Sequence, residues 1–132
     1  MQLIKDASAE KLRGAYYTPP AIASFILHWG INGGQDADIL EPSCGDGVFL
    51  ECRRDENMLF NTVTAIEYEA AEANKARTLG LHDSEVINQD FHRFCLDTDK
   101  RFDLVVGNPP FIRYQYYDPA QQKLADEIFN NA

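Results

Sequence analysis

The sequence predicts an α/β fold with a doubly wound, mainly parallel sheet. Short strand-like segments alternate with helix-like segments, and the glycine-rich and polar clusters come directly after the strand-like segments. Alternation of this kind requires right-handed crossovers, which place helices on both faces of a parallel sheet. Ligands of such folds bind at the carboxyl ends of the strands. We therefore expect the functional residues along one edge of the sheet.

The first predicted element is a helix that begins after Thr18 and ends at Gly30. Thr18 is a suitable N-cap, the two prolines that follow fit a first helical turn, and apolar residues recur at helical spacing over 22–29. A short strand over 37–40 then leads into EPSCGDG, and residues 48–57 are typical of a helix. These segments predict a strand, a glycine turn and a helix.

The alternation continues to the end of the sequence. The later elements are predicted strands over 62–68, 84–90 and 102–108 and an Ala-rich helix over 69–80. Gly80 is expected to cap that helix at its C-terminus, and Asp118 with Pro119 opens a last helix. Four parallel strands are therefore predicted, and the sheet is expected to stop after about the fourth.

Length and composition are those of one globular domain. The chain has 132 residues, of which 45% are hydrophobic and 25% charged. It contains three cysteines without CxxC spacing, so neither a metal site nor a disulfide framework is predicted. No apolar run reaches the roughly 20 residues that span a bilayer, and no secretory signal is evident. We expect a cytoplasmic protein without a membrane partner.

The charge balance opposes tight binding to nucleic acid by this chain alone. Asp and Glu number 21 against 12 Lys and Arg, which gives a net charge of -9. Binding to phosphate backbones draws on Lys and Arg. Any nucleic-acid affinity must therefore come from elsewhere.

The first cluster of interest is the loop over 41–47, EPSCGDG. Its glycines allow backbone to approach a ligand, but a tight turn between strand and helix explains them equally well. The loop lacks the third glycine of the GxGxxG dinucleotide pattern, and Glu41 and Asp46 would repel phosphate. Its acidity favours a cationic ligand.

Two carboxylates follow the next two strands. Glu67 ends the strand over 62–68, where an acidic side chain can accept hydrogen bonds from both ribose hydroxyls. Asp90 ends the strand over 84–90 and Phe91 follows it, where the two could hold an adenine by its amine and its face. Asp90 is equally suited to cap a short helix at His92, and the residues alone leave both interpretations open.

The most specific cluster is GNPPF, after the last predicted strand. Two successive prolines end the ladder and hold Asn108 and Pro109 extended, so that their carbonyl oxygens are fixed acceptors. Two converging acceptors suit a planar –NH2 group, and Phe111 adds a stacking face. The alternative is a strand-ending turn with an aromatic plug.

Five segments in this order resemble the N6-adenine DNA methyltransferases of the gamma arrangement, including restriction-modification enzymes: YYTPP, EPSCGDGVFL, IEY, NQDF and GNPPF. The resemblance covers nearly the whole chain. It implies a Rossmann-like fold, S-adenosylmethionine as the cofactor, and methyl transfer to the exocyclic N6 amine of adenine in DNA. The expected catalytic residues are Asn108, Pro109, Pro110 and Phe111. The expected cofactor-binding residues are Thr18, Glu41, Ser43, Cys44, Gly45, Gly47, Glu67, Asp90 and Phe91.

The resemblance also implies what lies elsewhere. Residues 1–132 correspond to a partial cofactor-binding and catalytic domain, whereas the target-recognition domain of the family is absent, so the fragment alone is expected to be inactive. DNA would be reached through that missing domain, and the open sheet edge could pair with a partner subunit or a second copy. Two alternatives remain: a methyltransferase of RNA guanine or of a protein glutamine amide, and a non-catalytic S-adenosylmethionine-binding or interaction fragment.

Overall fold

The computed structural model describes residues 17–32, 36–109 and 118–130. Within these ranges, strands and helices alternate as the sequence predicts. The strands are β1 (Asp38–Glu41), β2 (Thr62–Glu67), β3 (Ser84–Asn88) and β4 (Leu104–Val105). The helices are α1 (Pro20–Ile31), α2 (Val48–Asp55), α3 (Ala70–Arg77), α4 (Phe91–Asp97) and α5 (Pro119–Asn130). None of these described helices combines the length and the apolar character needed to cross a bilayer.

The strands form one parallel sheet in the order β3-β2-β1-β4. β1 is central and pairs with β2 along its whole length, with Glu41 opposite Ala65. β4 covers only Leu104–Val105 and is shorter than the predicted strand over 102–108. Because all four strands run in the same direction, their carboxyl ends lie at one edge of the sheet.

Apolar side chains pack on both faces of the sheet. Ile39 and Leu40 are adjacent on β1, yet each belongs to a different buried cluster, because successive side chains of a strand point to opposite faces. The cluster around Ile39 includes side chains of α1, α2 and α3, whereas Leu40 packs with Ile66 and with Phe94 of α4. Helices on both faces confirm the predicted doubly wound α/β class.

The prediction that Thr18 caps the first helix is wrong. α1 begins at Pro20, and Pro19 is its N-cap, in an extended conformation with ψ 138° and without a side-chain capping bond. Proline at both positions moves the first helical turn one residue past Thr18, which leaves the threonine hydroxyl for another partner.

The predicted C-terminal ends are displaced by one to three residues. α1 runs through Gly30 to Ile31 and stops there because Asn32 adopts the left-handed conformation, with φ 41°. α3 ends at Arg77 rather than at Gly80, whose own left-handed φ of 65° belongs to the turn beyond the helix. The glycine therefore ends the turn and not the helix.

The larger apolar side chains of α1 face outward. Its buried residues are Ala23 and Leu27, whereas Ile22, Phe25 and Trp29 are 51%, 70% and 78% exposed. Helical spacing of apolar residues therefore predicted the helix but did not identify the face that packs on the domain.

Candidate cofactor and catalytic site

The glycine loop between β1 and α2 is tied to the end of β2. The Cys44 N–H donates to the Ile66 carbonyl oxygen (2.9 Å), and the Gly45 N–H donates to Glu67 Oε2 (2.8 Å). Glu67 Oε1 accepts from the Glu69 N–H at the start of α3 (3.0 Å). The structure thus brings the loop and Glu67 together, and each carboxylate oxygen retains a second lone pair for a ligand.

The two glycines of this loop have different surroundings. Gly45 has φ 56°, and a Cβ added there would meet no atom within 4 Å, so this residue borders open space. Gly47 is the N-cap of α2 with φ 98°, and an added Cβ would lie 2.9 Å from Leu79 Cδ1 and 3.2 Å from Ala76 Cβ. Gly47 therefore permits α2 to pack closely on the α3 region, whereas Gly45 leaves room for a ligand.

Glu41, the last residue of β1, is a buried acid beneath the loop. Its side chain is 1% exposed, and its Oε2 has no hydrogen-bond partner among the described residues. Burial raises the pKa of Glu41 well above its ordinary value, and the negative charges of Glu67 and Asp46 raise it further. A cation beside Oε2 would relieve both effects.

Ser43 and Cys44 occupy the middle of the loop. Ser43 is half-buried, whereas Cys44 is buried at 3% exposure with its thiol 3.6 Å from the Gly45 carbonyl oxygen. Burial, followed by the charges of Glu41 and Glu67, raises the pKa of the Cys44 thiol. The thiol therefore stays protonated and packs as a small apolar side chain, so it is not a nucleophile.

The end of β4 lies against the glycine loop and α1. A Cβ added at Gly107 would lie 3.5 Å from Glu41 Cγ, so the backbone just after β4 passes close to the buried acid. The Asn108 amide nitrogen donates to the Thr18 hydroxyl oxygen (3.2 Å), and Thr18 is buried at 8% exposure. Pro109 follows on the surface, whereas Pro110 and Phe111 lie outside the described residues.

Asp90 caps α4, one of the two roles that the sequence left open. Its Oδ1 accepts from the His92 N–H (2.8 Å) and, at longer distance, from the Arg93 N–H (3.4 Å). The cap uses only this oxygen, so a second role for the carboxylate is compatible with it. The adjacent Phe91 is half-buried, and its ring centroid is 6.4 Å from that of Phe94.

Two residues to which the sequence assigned no role, Tyr68 and Gln121, lie near Asp90 together with Asp118, which opens the last helix as predicted. The Tyr68 hydroxyl donates to Asp118 Oδ2 (2.7 Å), and the Gln121 side-chain nitrogen lies 3.4 Å from Asp90 Oδ2. Asp118 and Gln121 also cap the start of α5, because the Gln121 N–H donates to Asp118 Oδ1 (2.8 Å). Their D-x-x-Q spacing, a variant of the capping-box pattern, was the available indication in the sequence.

Comparison with known proteins agrees with this geometry. The family model described as "N-6 DNA Methylase" matches residues 2–132. The chain is 32% identical over 122 residues to the Type II methyltransferase M.CvrRI of Paramecium bursaria Chlorella virus XZ-6E, covering 84% of this chain and 30% of that protein. It is 28% identical to the Type II methyltransferase M.HincII of Haemophilus influenzae over 122 residues, which cover 89% of this chain and 21% of that protein. The chain thus spans less than a third of these relatives.

A solved structure shows the same fold at low sequence identity. A proposed RNA methyltransferase of Pyrococcus horikoshii superposes with a TM-score of 0.64 at 20% identity, over 90% of this chain and 59% of that one. The fold and the order of the loops along the carboxyl edge are consistent with the family match. The chain belongs to the N-6 DNA methylase family.

Proposed function

We propose that this chain is the cofactor-binding and catalytic part of an enzyme that transfers a methyl group from S-adenosylmethionine to the N6 amine of adenine in DNA. The observation that carries the proposal is the position of Asn108. Its amide nitrogen is held by the Thr18 hydroxyl, and its neighbour Gly107 lies against Glu41. The bond to Thr18 uses the amide nitrogen, which leaves the amide oxygen as an acceptor at the carboxyl edge of the sheet, where the glycine loop begins.

The residues present suit S-adenosylmethionine. Its methionine part carries an ammonium and a sulfonium, and Glu41 offers a buried carboxylate oxygen without a partner among the described residues. Gly45 borders the open space that a ligand requires. The proposed methionine-end residues are Thr18, Glu41, Ser43, Cys44, Gly45 and Gly47. We assign ribose to Glu67 and adenine to Asp90 and Phe91.

Adenine N6 is a weak nucleophile because its lone pair is delocalised into the ring. S-adenosylmethionine supplies an electrophilic methyl group on a sulfonium. The Asn108 side-chain oxygen and the Pro109 carbonyl oxygen accept the two N6 hydrogens, which localises the lone pair and orients it for in-line attack. The target base must leave the duplex, and we assign Pro110 and Phe111 to its binding, with Phe111 as the stacking face.

We propose that DNA recognition belongs to another part of a longer protein. The relatives above are more than three times as long as the segment they share with this chain. Another relative, of Escherichia coli, is the methylase subunit of a type I restriction enzyme, 27% identical over 128 residues. A partner subunit or a second copy at the open β4 edge is therefore part of the proposal, as is action on DNA in the cytoplasm.

The cofactor assignment is tested by calorimetric titration of the chain with S-adenosylhomocysteine. Asp90→Asn is the informative variant, because asparagine still caps a helix but lacks the charge. We expect it to weaken binding by about tenfold, the loss of a charge-assisted hydrogen bond. Asp97→Asn, at the other end of α4, is the matched control and should bind like the parent. Equal affinities for all three proteins would contradict the adenine assignment.

A further inference from the structure

The start of helix α5 lies beside Asp90, the residue assigned to adenine. Its first residues are held by two contacts from other elements, Tyr68 to Asp118 and Gln121 to Asp90. The body of α5 packs on α4, and Leu124 and Ala125 are buried. Gln121 is therefore placed by a packed helix with a capped N-terminus.

The two oxygens of Asp90 have separate partners. Oδ1 is committed to α4, since it accepts from the backbone of His92 and Arg93. Oδ2 takes no part in the cap, and the Gln121 side-chain nitrogen lies 3.4 Å from it. The oxygen that remains for a ligand is thus the one that Gln121 contacts.

The donor of Gln121 and the donor of adenine are chemically alike. Each is a planar –NH2 group that gives a hydrogen bond to one carboxylate oxygen. The Asp90 side chain is 12% exposed, so a partner for Oδ2 in the free protein avoids much of the cost of an unpaired buried carboxylate. The contact is long and is therefore weak enough for a ligand to replace.

We propose that Gln121 is a built-in competitor for the adenine amine at Asp90. The inference rests on the adenosine site proposed above and adds a residue to it. In the free protein Gln121 occupies Asp90 Oδ2, and the 6-amino group of the cofactor displaces it on binding. The apparent affinity for the cofactor is lowered by the fraction of molecules in which Gln121 occupies the carboxylate.

Gln121→Met tests the competition. Methionine has a similar length but no donor. The shorter capping bond, from the residue 121 N–H to Asp118 Oδ1 (2.8 Å), remains, whereas the longer one, from the Asp118 N–H to Gln121 Oε1 (3.3 Å), is lost. We expect the variant to bind S-adenosylhomocysteine at least about threefold more tightly than the parent, as removal of an occupant present about two-thirds of the time would give. Gln122→Met, one residue along the helix, is the control and should leave the affinity unchanged.

A second measurement reports the displacement itself. In the nitrogen–proton spectrum of the parent, the Gln121 side-chain resonances should shift on addition of adenosine and stay in place on addition of methionine. Unchanged or weaker binding by Gln121→Met, while the parent binds, would overturn the inference and leave the proposed function intact. Failure of the parent to bind S-adenosylhomocysteine would overturn both.

Discussion

Glu41 carries a cost in the free protein that its proposed ligand would remove. The pKa of Glu41 is raised in the folded state. Glu41 therefore costs no folding stability below its unfolded pKa of about 4.3, where it is neutral in both states. As the pH rises from there through the folded pKa, the free energy of unfolding falls, because the carboxylate ionises more readily in the unfolded chain. The free protein is therefore less stable at pH 7 than this group would allow if it were neutral. Such a cost is typical of a residue kept for binding.

Glu41→Gln should consequently stabilise the free chain and weaken its ligand binding. We expect the free energy of unfolding at pH 7 to rise by about 1 to 3 kcal/mol, because an amide carries no charge to desolvate. Urea unfolding at pH 5 and pH 7, with calorimetry on S-adenosylhomocysteine, measures both effects. Glu51→Gln, on the exposed side of α2, is the control. A variant that is less stable and binds equally well would contradict the assigned role of Glu41.

In the proposed mechanism Thr18 is a positioning residue, because its hydroxyl accepts a hydrogen bond from the Asn108 side chain. In a longer protein that contains this chain, Asn108→Ala should lower the methylation rate by at least about 100-fold with little change in cofactor affinity. Thr18→Val keeps the shape but loses the acceptor for Asn108, so we expect a smaller loss of rate, with Thr18→Ser restoring most of it. Single-turnover methylation is the measurement. A rate for Asn108→Ala within about threefold of the parent would exclude the two-acceptor mechanism.

The position of a side chain relative to the sheet was predictable where it follows from the order of strands and loops. The order of strands, loops and acidic residues along the chain was sufficient to place Glu41, Glu67 and Asn108 at one edge of the sheet. The partner of Thr18 was not predictable, because it lies 90 residues away and the local pattern favoured a cap. Asp90 had two roles in the sequence, and the structure shows that the cap uses only one of its oxygens.

At the scale of elements, the junction of the glycine loop with α2 gives a matched pair of substitutions. Gly47→Ala must place a Cβ against Leu79 and Ala76 at a φ of 98°, whereas Gly45→Ala meets open space at a φ of 56°. We expect Gly45→Ala to lower the free energy of unfolding by about 1 to 2 kcal/mol, the strain of a left-handed alanine. Gly47→Ala should lower it by more, because its methyl group also meets packed side chains. Thermal unfolding measures the difference. Equal losses would show that the contact with Leu79 yields without cost.

The same pair separates stability from binding. Gly45→Ala projects a methyl group into the proposed ligand space, so it should weaken S-adenosylhomocysteine binding more than its small loss of stability explains. Gly47→Ala should act on binding mainly through stability.

The elements themselves were predictable because each has a strong local signature. The number and order of the strands follow from the alternating segments, and the sheet confirms them. Helix α4 was one of two interpretations that the sequence left open, and the structure contains it. Two features escaped prediction because they depend on packing. The outward face of α1 carries Phe25 and Trp29, since the inward face accepts the smaller Ala23 and Leu27 against α2. The strand predicted over 102–108 is reduced to Leu104–Val105, the two residues that pair with β1.

For the whole molecule, charge sets the expected behaviour towards DNA. A net charge of -9 provides no favourable counterion release on a phosphate backbone. We therefore expect the purified chain to give no measurable DNA retention at low salt and no N6-methyladenine when incubated with S-adenosylmethionine and mixed-sequence DNA. Mass spectrometry of the digested DNA is the measurement. Stoichiometric methylation by the chain alone would contradict this prediction.

The hydrogen bond between Thr18 and Asn108 also has a consequence for the order of folding. It joins residues 90 positions apart, and β4, which carries Asn108 to that point, contributes two paired residues to the sheet. Closing so long a loop costs chain entropy, and the few hydrogen bonds of so short a strand offset little of that cost. In contrast, β1, β2 and β3 pair over shorter sequence separations and longer registers. We therefore expect the segment assigned to methyl transfer to join the sheet last and to detach first, so that the molecule would lose its reactive geometry while most of its tertiary structure persists.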